Sequence, residues 1–311
     1  MLNGVLFFPV TPFGADGEVE LAVLTEHVRR GVAAGPGAVF TACGTGEFHA
    51  LEVGEFARVV GASTAAVERR VPVFAGAGGS VAQAKQCARA AADAGADGLL
   101  LLPPYLVGVP QQGLIDYVAA VAAETDLQVI VYHRANARFS EQSAVTVAQL
   151  PTVVGLKDGV GDIDLMGRIV QAVCESPAGA DTDFQFFNGL PTAEASQRAY
   201  RAIGVPLYSS AVFAFAPDIA LAYYAALERG DERLLDALLS RFYHPLVRLR
   251  DRTPGYAVAL VKAGVRLTGL DVGGVRPPLV DPTEDEVAQL AEIIANGRAV
   301  VAAATQAGVA S

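Results

Sequence analysis

The stretch Val153-Val154-Gly155-Leu156-Lys157 is a short apolar run that ends in a lysine, and an amphipathic stretch follows it over Ile163–Cys174. The same unit recurs along the chain. It consists of an apolar run, a loop with Gly or Pro, and an amphipathic stretch. The predicted strands are Val5–Val10, Ala38–Cys43, Val71–Ala75, Gly98–Leu102, Gln128–His133, Val153–Lys157, Phe184–Asn188 and Val205–Ser209. Continuous apolar strands that alternate with helices are typical of a parallel sheet covered by helices. Eight such units without a second sheet pattern predict a closed (β/α)₈ TIM barrel rather than an open doubly wound sheet.

The strand pattern stops after the eighth unit, and only helical patterns follow. They lie over Ile219–Glu228, Glu232–Leu249, Tyr256–Leu267 and Glu284–Ala302. A single barrel commonly needs about 250 residues, so the 311 residues allow one barrel with an appendage. We therefore predict a barrel core over residues 1–216, and the end of the barrel with a C-terminal helical segment over 217–311.

Composition and charge narrow the function classes. The net charge of −10 disfavours a nucleic-acid partner, because phosphate binding needs a basic surface. Three widely spaced cysteines form neither a metal pattern nor a disulfide framework, which fits a reducing compartment. We see no signal peptide and no apolar run near the roughly 20 residues that span a bilayer. The chain is expected to be cytoplasmic, without a membrane partner.

Lysine usage singles out one strand end. Only three of the 23 lysine and arginine residues are lysines, and two of them, Lys85 and Lys262, lie in helical patterns. For these two we expect solvated or snorkelling side chains. Lys157 instead ends an apolar strand, and barrel active sites lie at the C-terminal ends of the strands. Desolvation there lowers the pKa of an amine and exposes its nucleophilic lone pair, which an arginine cannot offer.

The alternative for Lys157 is a structural ion pair with Glu47 or Asp158. The neighbouring strand favours the catalytic interpretation, because Tyr132 lies at its end and can carry the protons that imine formation moves. A tyrosine alone would be read as a core residue. His133, the next residue, should point the opposite way, towards the interface between barrel and helices.

Two glycine-rich loops follow strands. Gly44-Thr45-Gly46 can offer backbone N–H groups and a hydroxyl to a carboxylate, although such a loop alone is a weak signal. Gly76-Ala77-Gly78-Gly79 lacks the third glycine of a dinucleotide fingerprint, so we interpret it as a tight turn. The four histidines have no metal-ligand spacing, and we predict no metal.

These residues resemble a known family. Its motifs are Thr11-Pro12-Phe13, Gly44-Thr45-Gly46-Glu47, Tyr132 and Gly155-Leu156-Lys157-Asp158. They recur in this order in the dihydrodipicolinate synthase and N-acetylneuraminate lyase superfamily. Further stretches resemble its dehydratase branch, among them Leu102-Pro103-Pro104-Tyr105-Leu106, Lys157-Asp158-Gly159-Val160-Gly161-Asp162, Gly189-Leu190-Pro191-Thr192-Ala193-Glu194, Tyr208-Ser209-Ser210-Ala211-Val212-Phe213, Gly255-Tyr256-Ala257-Val258 and Val275-Arg276-Pro277-Pro278-Leu279. The resemblance covers nearly the whole chain.

The resemblance implies an enzyme without a cofactor, assembled as a homotetramer of two dimers. It implies Schiff-base dehydration and decarboxylation of a keto sugar acid, 5-dehydro-4-deoxy-D-glucarate, to 2,5-dioxopentanoate. In that chemistry Lys157 forms the imine, Tyr132 moves protons and Thr45 completes the catalytic set. The resemblance assigns substrate contacts to Gly44, Thr45, Asn136, Ser209 and Thr11.

Three departures from the branch bear on the substrate. His133 and Ala135 stand where the branch usually has polar residues, and Ala214 stands where it usually has an asparagine. If those side chains bind the distal end of the substrate, the substrate differs. Two alternatives therefore stay open: another aldolase or dehydratase of 2-keto-3-deoxy sugar acids, and, from a different class, a non-catalytic sugar-acid sensor.

Overall fold

The computed structural model describes residues 1–105, 108–180 and 184–309. Eight parallel strands form a closed barrel in which each strand pairs with the next and β8 pairs with β1. The strands are β1 (Leu6–Phe7), β2 (Ala38–Thr41), β3 (Val73–Gly79), β4 (Gly98–Pro104), β5 (Gln128–His133), β6 (Val153–Asp158), β7 (Gln185–Asn188) and β8 (Leu207–Ser210). The predicted (β/α)₈ barrel is confirmed.

Helices join the strands and cover the barrel. They are α1 (Leu21–Ala33), α2 (Val53–Val67), α3 (Val81–Asp93), α4 (Gln111–Ala122), α5 (Glu141–Ala148), α6 (Ile163–Glu175), α7 (Pro177–Ala180) and α8 (Gln197–Ala202). The C-terminal helical segment contains α9 (Pro217–Arg229), α10 (Glu232–Leu238), α11 (His244–Arg250), α12 (Tyr256–Leu267) and α13 (Glu284–Val309).

The alternation of side chains along each strand produces two hydrophobic cores. The larger core lies between the strands and the helices, and it contains one face of each of the covering helices α1 to α6 and α8. The smaller core fills the barrel interior, where Phe8 stacks on Phe40 and Phe40 stacks on Phe74. Tyr132 belongs to this interior cluster, so its end of β5 faces into the barrel. The barrel interior is therefore filled by side chains, and a ligand can bind only at the C-terminal ends of the strands.

Two local predictions near the strands are wrong. The strand predicted over Val5–Val10 is only Leu6–Phe7, and Pro9, which has no N–H to donate, follows soon after. The glycine cluster from Gly76 to Gly79 is no tight turn but the end of β3. A β-carbon at Gly76 would lie 2.3 Å from the Ala42 carbonyl oxygen, so the barrel packing requires glycine there.

The predicted helix over Glu232–Leu249 is interrupted. A π-helical turn over Leu239–Tyr243 separates α10 from α11, just before Pro245. Proline lacks the N–H that would continue the α-helical ladder, which accounts for the altered hydrogen bonding. The last helix, predicted to end at Ala302, continues to Val309.

One helix, α13, has the length and composition of a candidate membrane span, although no uninterrupted apolar run in it approaches the roughly 20 residues that cross a bilayer. The part of α13 over Glu284–Gln306 has a mean hydropathy of 1.3 and sufficient length, and 17% of its most apolar window is buried. One side of α13 packs against α9, α10, α11 and α12. Packing against these four helices thus accounts for part of its apolar surface.

Candidate active site

A cavity of about 370 Å³ opens at the C-terminal ends of the strands. Its floor is formed by side chains from the strand ends, including Phe8, Tyr132 and Lys157. One wall comes from the C-terminal helical segment, through the stretch of α12 from Tyr256 to Val261. The segment that follows the barrel is therefore part of the candidate site.

Lys157 lies at the base of this cavity and is 5% exposed. Its ammonium nitrogen lies 4.3 Å from the centroid of the Phe8 ring and 4.7 Å from that of Tyr132. The pKa of Lys157 is lowered to about 7, mainly by burial; Cys43 opposes this shift and the positive charge of Arg134 adds to it. A substantial fraction of this amine is unprotonated, and hence nucleophilic, near neutral pH.

The structure gives Lys157 neither of the ion-pair partners that the sequence left open. Glu47 is paired with Lys262 instead. Asp158 points away from the barrel interior and accepts hydrogen bonds from the N–H groups of Val160 and Gly161 and from the Tyr200 hydroxyl. Lys157 therefore does not form the structural ion pair with Glu47 or Asp158 that was the alternative to a catalytic role.

Tyr132 is the register partner of Lys157 on the adjacent strand. Its hydroxyl donates to the carbonyl oxygen of Gly189 at 2.7 Å and accepts from Nη1 of Arg134 at 2.9 Å. Burial raises the pKa of Tyr132, while the nearby Arg134 guanidinium partly opposes that rise. The hydroxyl is thus neutral, oriented by two partners and adjacent to the amine.

Two glycines make room for this pair. A β-carbon at Gly189 would lie 2.5 Å from Cε of Lys157, and one at Gly159 would lie 2.8 Å from the Tyr132 hydroxyl. Separations below 3 Å between such atoms do not occur without displacement. Both glycines lie in stretches that carried the family resemblance, and their role as spacers was not predicted.

The loop after β2 reaches the cavity through Gly44 and Thr45. Thr11 does not line the cavity: it is 1% exposed, and its hydroxyl donates to the carbonyl oxygen of Gly46 at 2.7 Å. Its position is suited to holding the loop rather than to touching a ligand. The structure therefore brings Gly44 and Thr45 together with Lys157 and Tyr132, and places Thr11 behind them.

The two predicted distal contacts differ in placement. Ser209 lines the cavity at the end of β8. Asn136 is not among the lining residues, and its amide donates to the carbonyl oxygen of Pro104 at 2.9 Å. Ser209 is thus available to a ligand in this conformation, whereas Asn136 is hydrogen-bonded to the end of β4.

Of the three departures from the dehydratase branch, only Ala135 lines the cavity. His133 is 2% exposed and faces the helices, as predicted. Its Nδ1 accepts a hydrogen bond from the N–H of Phe139 at 3.0 Å, and burial lowers its pKa although Asp158 is near. Neither His133 nor Ala214 contributes to the cavity wall.

Cationic side chains dominate the polar part of the cavity wall. Arg134 and Arg250 line it together with Lys157, while no carboxylate of the described residues does so. Nη1 of Arg250 also donates to the Pro191 carbonyl oxygen at 2.7 Å and to the Thr192 hydroxyl at 3.0 Å. The two arginines were not predicted, and the cavity they help to form is suited to an anionic ligand.

The expectation of a solvated or snorkelling Lys262 is wrong. Its side chain is fully buried, and its ammonium nitrogen lies 2.8 Å from Oε1 of Glu47, which is equally buried. Lys85 behaves as expected, with a partly exposed side chain 3.5 Å from Glu124. Within residues 1–105, 108–180 and 184–309, no group of His, Cys, Asp or Glu is arranged to hold a metal.

A desolvated lysine beside a tyrosine, at the strand ends of a closed barrel, can condense with a ketone and move the protons that this requires. Class I aldolase-type lyases work in this way, and the chain is an enzyme of that class. It belongs to the dihydrodipicolinate synthetase family, whose sequence profile matches residues 1–296.

Similar proteins of known sequence and structure agree with this assignment. A protein of Streptomyces griseus named "Probable 5-dehydro-4-deoxyglucarate dehydratase" is 60% identical over 98% of this chain and 95% of its own. A protein of Streptomyces coelicolor with the same name, numbered 1, is 58% identical over 96% and 94%. The crystal structure of dihydrodipicolinate synthase from Thermotoga maritima is 26% identical, with a TM-score of 0.84 over 96% of this chain and 99% of that one.

Proposed function

We propose that this chain dehydrates and decarboxylates 5-dehydro-4-deoxy-D-glucarate, giving 2,5-dioxopentanoate, CO₂ and water. The observation that carries the proposal is the buried Lys157 amine, with a pKa of about 7, in a cavity lined by two arginines and by no carboxylate of the described residues. A dicarboxylate that carries a ketone matches both features. The names of the Streptomyces relatives support the same substrate.

In the proposed mechanism Lys157 attacks the C5 ketone, and Tyr132 carries protons as the carbinolamine loses water to give the imine. Gly44 and Thr45 hold the C6 carboxylate beside that ketone, through backbone N–H groups and the hydroxyl. Fixing the carboxylate brings the ketone carbon towards the amine, which lowers the entropic part of the barrier. Ser209 is assigned to the distal end of the substrate, and Thr11 supports the loop that carries Gly44. Asn136 reaches the substrate only if it releases its hydrogen bond to the Pro104 carbonyl oxygen.

The bond changes follow from the imine. The protonated imine withdraws electrons, so a proton leaves C4 and the resulting enamine expels the C3 hydroxyl as water. The conjugated imine then accepts the electron pair of the C1–C2 bond as C1 leaves as CO₂. Protonation at C3 and C4 turns the C2 enol into an aldehyde, and hydrolysis of the imine releases the product and frees Lys157.

Ala135 keeps one rival function open. Because it removes a polar side chain from the cavity wall, a shorter or less hydroxylated 2-keto-3-deoxy sugar acid could be accepted, and an aldolase would cleave it to pyruvate. Incubation with the dehydroglucarate, followed by mass spectrometry of the products, separates these functions. Equal amounts of CO₂ and 2,5-dioxopentanoate support the proposal, pyruvate supports the aldolase, and binding without any product supports the sensor.

We further propose that the chain forms a homotetramer, a dimer of dimers, and acts in the cytoplasm. The incompletely buried apolar surface of α13 supports association with further copies. The free state of Cys43, Cys87 and Cys174 supports a reducing compartment. Light scattering coupled to size-exclusion chromatography tests the assembly, and a monomer mass would contradict it.

A further inference from the structure

Glu47 is the last residue of the loop that carries Gly44 and Thr45. Its N–H donates to the carbonyl oxygen of Gly44 at 3.1 Å, and its φ of 55° lies in the left-handed region that non-glycine residues rarely adopt. Such backbone conformations persist where surrounding contacts fix them. The position of the Glu47 side chain therefore bears directly on the position of Gly44.

Both carboxylate oxygens of Glu47 are held by the C-terminal helical segment. Oε1 lies 2.8 Å from the ammonium nitrogen of Lys262, a close ion pair without hydrogen-bond alignment, and Oε2 accepts from the N–H of Arg276 at 2.9 Å. The Lys262 ammonium donates to the Gly274 carbonyl oxygen at 2.5 Å and lies 4.0 Å from the Phe13 ring centroid. We call Glu47 and Lys262 the buried pair.

A second contact ties the same segment to the region of this loop. The guanidinium of Arg276 forms two hydrogen bonds with Glu55 on α2, at 2.5 and 2.8 Å, and donates to the carbonyl oxygen of Ala50 at 2.7 Å. Meanwhile α12, which carries Lys262, also forms a wall of the cavity. One helix thus contacts both the cavity and Glu47.

A buried ion pair is weak support for stability as such, because the cost of desolvating both charges offsets much of their attraction. Formation of the buried pair requires that two charges be fully desolvated, which costs free energy. The pair lies immediately beside the loop assigned to the substrate carboxylate. We therefore consider how the buried pair affects the position of this loop rather than how it affects the stability of the fold.

We propose that Lys262 and Glu47 are positioning residues that hold Gly44 and Thr45 where they can bind the carboxylate beside the reacting ketone. This rests on the proposed function, in which that loop binds the carboxylate. Lys262 acts on keto-acid recognition without touching the substrate. Loss of the pair lets the loop move and weakens binding of keto acids, while the reactivity of Lys157 towards neutral ketones remains.

The test compares two small ketones that differ only in a carboxylate, pyruvate and acetone. The full-length protein is incubated with each over a range of concentrations, reduced with borohydride, and the modified fraction is measured by intact mass. The variants are Lys262→Met, Glu47→Gln and the double variant Glu47→Gln/Lys262→Met. Lys85→Met is the matched control, because it removes a partly exposed lysine far along the chain from this loop.

We expect the pyruvate concentration for half-maximal modification to rise about tenfold or more in the single and double variants, the size typical of losing a charged contact. Modification by acetone and the Lys85→Met control should stay within about twofold of wild type. The double variant leaves no unpaired buried charge, so its melting temperature should exceed that of Lys262→Met. It decides the question even if a single variant does not fold.

A folded double variant that keeps the wild-type preference for pyruvate over acetone overturns the proposal and leaves the pair a structural feature. Equal losses for both ketones also overturn it, because they indicate damage at Lys157 itself. If the wild-type chain shows no preference for pyruvate, the loop does not bind the carboxylate, and the proposal is overturned. Turnover of the dehydroglucarate is measured separately, so failure of the substrate assignment is distinguishable from all three results.

Discussion

Arg134 donates a hydrogen bond from Nη1 to the hydroxyl of Tyr132 at 2.9 Å, while that hydroxyl donates onward to the carbonyl oxygen of Gly189 at 2.7 Å. The same guanidinium lowers the pKa of Lys157. One arginine at the cavity wall therefore influences both groups assigned to proton transfer and imine formation.

We predict that Arg134→Met raises the pKa of Lys157 above its value of about 7, because a neighbouring positive charge is lost. The acidic limb of the rate profile then moves to higher pH, and kcat falls about tenfold or more as Tyr132 loses its donor. The measurements are kcat/KM against pH, which reports ionisations of the free enzyme, and kcat at the optimum, which reports the loss at Tyr132. Arg298→Met, which removes an exposed arginine paired with Asp218, serves as the control. An unchanged profile in Arg134→Met would show that this arginine does not tune the site.

The wild-type enzyme should show its own pH dependence. Imine formation needs the unprotonated amine, so the initial rate of borohydride trapping should rise with pH and level off above about 7. Below that value the rate should fall about tenfold per pH unit, as the amine becomes protonated. A rate that keeps rising towards pH 10 would mean that burial does not lower this pKa.

Gly189→Ala tests the space around the lysine. The added β-carbon would lie 2.5 Å from Cε of Lys157 and 2.8 Å from the Asp158 carbonyl oxygen, so the lysine must move. A displacement of about 1 Å at a reacting group can cost about 100-fold, and we expect a loss of that order in kcat/KM. Gly54→Ala on α2 is the matched control, since its β-carbon would meet nothing within 4 Å. Comparable activity in both variants would contradict the spacer role.

Glu194 allows a prediction about stability. It is fully buried, its Oε1 accepts from the Ser210 hydroxyl at 2.5 Å, and its other oxygen has no partner among the described residues. Burial raises its pKa to about 7, so the folded chain holds a proton that the unfolded chain releases at lower pH. The stability it contributes is fully present below its ordinary pKa, and it is lost as the pH rises to about 7.

The amount lost corresponds to about 3 kcal/mol of unfolding free energy, from roughly 1.4 kcal/mol per pKa unit. Glu194→Gln, which keeps the shape and carries no titrating group, should therefore gain stability relative to wild type between pH 5 and 8. Urea unfolding across that range measures the difference, with the exposed Glu292→Gln as control. If the difference between Glu194→Gln and wild type is independent of pH, Glu194 does not titrate in this range.

The sequence predicted the parts of the site that depend on strand order. Lys157 and Tyr132 end adjacent apolar strands, and the barrel rule brings such ends together, so their pairing followed from periodicity alone. Lys262 was misread because helical periodicity does not reveal which face meets the barrel, and its partner Glu47 is remote in sequence. Gly76 was misread because glycine is typical of turns, whereas here close strand packing excludes a side chain. Arg250 was missed because its place at the cavity depends on how α11 packs, which no local pattern encodes.

Borohydride reduction followed by peptide mass analysis shows whether Lys157 forms the covalent imine. The protein is incubated with 5-dehydro-4-deoxy-D-glucarate, reduced with borohydride, digested and analysed by peptide mass. We expect one modified lysine, Lys157, carrying an adduct that has lost water and CO₂. Modification at Lys85 or Lys262 instead, or no modification by this acid and by pyruvate, would contradict this role of Lys157.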